Sequence, residues 1–287
     1  MKRSLVAPSC VMILLPIALA AAHARARSTQ PDNEVNLSAK KQTPEACSRS
    51  LLTSYDPDKG DLFGHDVSIW TTDDGSAVMF RSGMTIDADG APNAYNSDNT
   101  GLDDLANAGE PGRWDGIVTD PGGQPLVQGL NDPFPGFYVS QTALVDWSKE
   151  RTDPARYVDA SKIPYIVLPG GLSRQFGAEL GDLAMVVNPR RRMAAGAIFA
   201  DIGTLGEGSI ALADELGIWS DARDGGTRGG ILYVVFPRSG NRQPRSLNEI
   251  KTEADKLFQR WGGMEKLGSC EAALYSAHAQ TAERNPH

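Results

Sequence analysis

Beyond its first 26 residues, the clearest apolar runs of this chain are six or seven residues each, bounded by glycine, proline or asparagine. Ile163–Leu168, Leu183–Asn188, Ala194–Ala200 and Ile231–Phe236 all follow this pattern. A helix needs a longer stretch with apolar residues every three or four positions, so these runs read as strands. The chain carries 30 glycines and 18 prolines among 287 residues, which supplies turns and argues against a helical bundle. With 40% hydrophobic residues it also has enough apolar material for a core. The expectation is a β-rich α+β single domain with a few peripheral helices. From Asp87 to Pro135 loops dominate. The segment Asn188 to Arg192 reads as a turn between two strands, with its arginines in solvent or holding an anion.

Two helices are marked locally. Residues Ser209 to Leu216 are entered through Gly208 and stopped by Gly217. Ser246 and Glu249 form a capping box, after which Leu247, Ile250, Ala254, Leu257, Phe258 and Trp261 repeat at helical spacing up to Gly262 and Gly263. That apolar stripe is expected to pack on the sheet near Cys270.

The chain begins with Lys2 and Arg3, an apolar run from Val11 to Ala22, and alanines at 22, 24 and 26. This is the layout of a secretory signal, and the run is too short for a membrane span of about 20 residues. Cleavage fits after Ala24 or Ala26, so residues 1–26 are assigned to the signal and 27–45 to a flexible polar leader. A domain over 46–275 and a disordered tail over 276–287 follow. The mature protein is expected in the periplasm or secreted, as a monomer without a membrane span. Cys10 leaves with the signal, and an oxidising compartment would join Cys47 to Cys270.

The net charge of −8 becomes more negative once Lys2, Arg3 and Arg25 are removed. Such a chain lacks the basic face that nucleic-acid binding requires. Outside the signal the histidines are His65, His278 and His287, with no metal-ligand spacing among them, so no metal and no cofactor is expected. His65 and Asp66 resemble half of a triad without a recognisable nucleophile. Asp87 and Asp89 resemble the start of a calcium loop, but Ala91 and Pro92 then supply no side-chain ligand. Carboxylates remain as the chemical groups.

Asp201 and Glu207 stand on the most glycine-rich turn, with Gly203, Gly206 and Gly208 around them. Glycoside hydrolysis needs two carboxyl groups facing the scissile bond, and six residues span up to about 20 Å, enough for the inverting separation of roughly 6.5–9.5 Å. An exposed Asp in a turn and a Glu before a helix fit the same spacing. Asp87 and Asp89 either line a cleft or sit on an exposed turn. Trp114, Tyr138 and Tyr165 either stack on sugar rings or belong to the core.

The segment from Asp201 to Leu212 resembles the catalytic segment of glycoside hydrolase family 75, the fungal-type chitosanases. Met84 to Gly90, Gly136 to Leu144 and Ile163 to Pro169 resemble other segments of that family, in the same order. The resemblance implies a bacterial-looking secreted chitosanase that cuts β-1,4 bonds between glucosamine units with inversion, within the polymer. It implies Asp201 and Glu207 as the catalytic pair and a cationic amino-sugar polymer as partner. The Asp-x-Gly after a strand also resembles lytic transglycosylases and endoglucanases built on double-psi β-barrels, which implies a barrel core and Asp201 as the acid with Glu207 as base; the reverse assignment stays open. Two further readings stay open: an enzyme acting on peptidoglycan or another envelope glycan, and a non-catalytic exported carbohydrate-binding protein.

Overall fold

Side chains alternate across a strand, so one ladder can serve two apolar layers, and this chain uses both. A computed structural model describes Cys47 and residues 49–52, 67–72 and 74–272, all within one compact unit. The segments assigned to signal, leader and tail, together with His65, Asp66, His278 and His287, lie outside the described residues.

The strands are β1 (Arg49–Leu52), β2 (Ile69–Thr71), β3 (Val78–Asp87), β4 (Gly109–Glu110), β5 (Arg113–Trp114) and β6 (Tyr165–Val167). They continue with β7 (Leu183–Asn188), β8 (Met193–Asp201), β9 (Glu207–Ser209) and β10 (Thr227–Phe236). Neighbours run in the order β3, β10, β7, β8, β6, β9, and β9 pairs back with β3, which closes a six-strand barrel. Two of its pairings are parallel, β6 with β8 and β3 with β9. β1 and β2 extend the sheet from β3, and β4 with β5 forms a separate ribbon. The protein is thus a β-rich α+β domain with a barrel core, as the short apolar runs imply.

Phe80, Met84, Ile166, Ala197, Phe199, Tyr233 and Val235 form one buried layer, in which the Phe80 and Tyr233 rings stack at 4.5 Å. The alternate residues, among them Met79, Tyr165, Met185, Ile198 and Val234, join a second layer with Ile250, Ala254 and Phe258 of helix α3 (Leu247–Trp261). A barrel of this size is filled by side chains and has no room for a helix, so the face toward α3 is the outer one. Gly196 of β8 allows the close approach: a Cβ there would lie 2.8 Å from the Ala254 Cβ.

The capping box is formed, with the Ser246 amide donating to Glu249 Oε2 at 2.9 Å. Gly262 caps α3, but the chain becomes helical again over 263–272 rather than stopping, because Leu267 and Cys270 are buried on the same core. Cys270 there is bonded to Cys47, with 5.3 Å between the Cα atoms. Helix α1 (Gly170–Phe176) has no sequence signal, since two glycines open it. Helix α2 (Ile210–Glu215) begins where Ser209 accepts from the Leu212 amide at 3.1 Å. Among the described residues, no helix is long and apolar enough to cross a membrane.

Candidate functional site

Four neighbouring barrel strands, β8, β6, β9 and β3, carry the chemistry on their outer face. The parallel register sets Thr85 beside Glu207 and Asp87 beside Ser209. Asp87 and Glu207 are therefore diagonal neighbours on one face of two adjacent strands. On β6, Ile166 pairs with Phe199 but the next residue, Val167, pairs with Asp201, so Ala200 is skipped. This bulge re-aims Asp201 to the face that Val167 and Glu207 share. The irregular segment after β3 then packs over that face, burying Ala88, Ala91, Tyr95, Ile117 and Leu144 in the outer layer. Between segment and barrel wall lies a cleft of about 870 Å³. Asp87, Asp89, Asp103, Asp201 and Glu207 all line it.

Among the described residues, these carboxyl groups are held by backbone, phenol or side-chain amide donors rather than by ion pairs. Asp201 Oδ1 accepts from the amides of Ala143 at 2.9 Å and Ile202 at 2.8 Å, while its Oδ2 takes no hydrogen bond from the described residues. Glu207 Oε2 accepts from the Thr204 amide at 2.9 Å. Gly203 makes room for that carboxylate, since a Cβ there would lie 2.6 Å from Oε2. Asp87 Oδ1 accepts from the Asp89 amide at 2.8 Å. The Tyr165 hydroxyl reaches the Asp87 carboxyl group and donates to the Asp89 carbonyl at 3.0 Å. Arg223 closes one wall, with its guanidinium on the carbonyls of Asn99, Gly101 and Asp103.

Burial among like charges favours the neutral form of a carboxyl group. Burial, and then the nearby Asp87, push Glu207 up to about 7. Burial, and then Asp87, hold Asp201 well above the usual carboxyl range. Asp87 is pushed up to about 6, again chiefly by burial. Asp89 is also held well above the usual range by burial, then by Asp87 and Asp201. Near neutral pH Asp87 is therefore mostly ionised and Glu207 is close to its midpoint, while Asp201 holds a proton more tightly than an ordinary carboxyl group.

These shifts have a consequence for stability. A carboxyl group raised in the folded state binds more protons folded than unfolded, so its contribution is fully present below the unfolded value and lost as pH rises through the folded one. For Asp87 and Glu207 that window runs from about 4 to about 7. The melting temperature is expected to fall as pH rises across it, and Glu207→Gln should flatten the fall. Thermal melts of both proteins at several pH values check this, and a wild-type melting temperature that rises across the window would contradict it.

Of the residues expected from sequence, Asp87, Asp89, Asp201 and Glu207 meet in the cleft. Tyr165 is fully buried in the outer layer and outside the cleft lining, with its hydroxyl on the Asp89 carbonyl rather than a ring face open to a sugar. Trp114 lies on β5 and Tyr138 beside Val127, both partly buried against the core and outside the cleft lining. Cys47 and Cys270 are joined away from it. Tyr95, Asp103 and Arg223 have no distinguishing signal in the sequence, since each stands in a loop among similar residues. The tryptophans most open to solvent are Trp147 and Trp219, at 71% and 64% exposure. Among the described residues, no group of three or more His, Cys, Asp or Glu side chains converges as metal ligands would.

No known family model matches the chain, and no curated protein matches it.

Proposed function

We propose that the protein is an exported glycoside hydrolase that cuts β-1,4 bonds within a chain of glucosamine units, with inversion. The observation that carries this reading is the meeting of Asp201 and Glu207 on the floor of one cleft, both with a raised affinity for protons. In a single displacement, Asp201 protonates the leaving glycosidic oxygen through its unbonded Oδ2. Glu207, close to its midpoint near neutral pH, draws a proton from the attacking water. The surplus of carboxyl groups in the cleft suits ammonium-bearing sugars, whose entry would favour ionisation of Asp87 and Asp89. Export is supported by the signal-like first 26 residues and by the disulfide. The resemblance to family 75 chitosanases supports the choice of polymer.

The test is product analysis on chitosan, chitin and peptidoglycan. New reducing ends from chitosan, appearing first as the α-anomer, are the expected result. A first-formed β-anomer would overturn single displacement, and nonreducing anhydro ends from peptidoglycan would replace hydrolysis by a transglycosylase reaction. If no substrate is cut but chitosan is bound, the carbohydrate-binding reading takes its place.

A further inference from the structure

Tyr95 stands between two carboxyl groups. Its hydroxyl oxygen lies 2.7 Å from Asp89 Oδ1 and 3.3 Å from Asp103 Oδ2. A phenol has one proton and donates one hydrogen bond, so it cannot serve two carboxylates at once. With both ionised, its proton goes to the nearer Asp89, and Asp103 Oδ2 is left facing phenol lone pairs. That is costly, because Asp103 is 3% exposed and Tyr95 is 2% exposed. One added proton satisfies all three groups. Asp103 then donates to Tyr95 and Tyr95 to Asp89, or the chain runs the other way.

The surroundings leave Asp103 no other use for that oxygen. Its Oδ1 already accepts from the Asp104 amide at 2.6 Å and from Asn107 Nδ2 at 2.8 Å, which turns Oδ2 to Tyr95. Asp89 is pressed into place from the other side by Gly116, where a Cβ would lie 2.6 Å from its Oδ1. All three line the cleft, but Asp89 is partly exposed there whereas Tyr95 and Asp103 are buried.

We propose that Asp103, Tyr95 and Asp89 form a proton relay, in which Asp103 and Tyr95 are positioning residues that set when Asp89 offers the cleft a proton or a charge. In the step, the proton on Asp103 Oδ2 passes to the Tyr95 oxygen as the Tyr95 proton passes to Asp89 Oδ1. One proton moves toward the cleft, one negative charge moves to Asp103, and the phenol ends as it began. The groups that bear on this balance are Asp87 from β3, Asp201 from β8 and Tyr165 from β6 on the Asp89 side. Arg223 bears on the Asp103 side, and Asp115 lines the same cleft. Burial raises the proton affinity of Asp89 and of Asp103, which favours the form with a shared proton.

The relay rests on the glycan-hydrolase reading only for its kinetic consequence. Its test is a carbon-13 titration of the Asp89 carboxyl group in the wild type, Asp103→Asn and Tyr95→Phe. In Asp103→Asn the amide donates permanently to Tyr95, so Asp89 is expected to ionise at a pH lower by on the order of one unit. In Tyr95→Phe the carboxylate loses its donor, and Asp89 is expected to ionise higher by a similar amount. Opposite shifts are the signature of the relay; equal or absent shifts overturn it. Should Tyr95→Phe fail to fold, the downward shift in Asp103→Asn decides alone. The pH limb of kcat/KM on chitosan is expected to move in the same directions. A wild type that cuts no glycan overturns the hydrolase reading, and the titrations still decide the relay.

Discussion

Asp201→Asn is expected to lower turnover on chitosan by about 10²–10⁴-fold, the range that a positioned general acid contributes. That is about 3–5 kcal/mol of transition-state stabilisation. The amide can still accept from the Ala143 and Ile202 backbones through its oxygen, so the local geometry survives and only the transferable proton is lost. Glu207→Gln should cost a similar factor, because its oxygen can keep the Thr204 amide while no longer drawing a proton from water. Both variants remove a group from a cluster of like charges, so neither should lower the melting temperature at neutral pH. Lost turnover with retained or raised stability is the combined result to look for. Near-wild-type turnover in either variant would remove that residue from the catalytic pair.

Opening the disulfide is expected to have the largest effect on stability. Cys47 and Cys270 are separated by 223 positions, and both are buried in the outer layer with α3. In the chain-entropy description, closing so long a loop restricts the unfolded chain by up to roughly 5 kcal/mol. The bond also fixes the helical segment 263–272 against the outer layer, where Arg81 pairs with Glu271 at 3.1 Å. Cys47→Ser with Cys270→Ser should shift the urea midpoint strongly downward, as should reductant on the wild type. An unchanged midpoint in both would show that the bond does not restrain unfolding.

Much of the architecture is legible in short windows of sequence. The strand expected at Leu183–Asn188 coincides with β7, and that expected at Ala194–Ala200 lies within β8. The capping box at Ser246 is formed as expected, and the helix expected from Ser209 to Leu216 runs over Ile210–Glu215, with Ser209 as its cap. The longer strand β3 is different. Arg81, Ser82 and Gly83 interrupt its apolar pattern, and it is held by pairing with β10 and β9, which lie far along the chain. β10 likewise begins at Thr227 rather than at Ile231, through two glycines and with an irregular register, because β3 lies beside it.

The site divides in the same way. Asp201 at the end of a strand and Glu207 six residues on could be chosen from the sequence, because the glycines around them mark a turn next to the sheet. Residue types and spacing by themselves also place Cys47 and Cys270 as the two cysteines of the chain beyond its apolar leader. What the sequence could not decide is which other groups share the cleft. The parallel register of β3 on β9 brings Asp87 beside Glu207, the skipped Ala200 turns Asp201 to the same face, and the packed loop adds Asp89, Tyr95 and Asp103. Short apolar runs, caps and turns act between residues close in the chain and are therefore written in it. Proton affinities and shared protons depend on burial and on neighbours from distant strands, so only the closed barrel and the loop packed on it could set them.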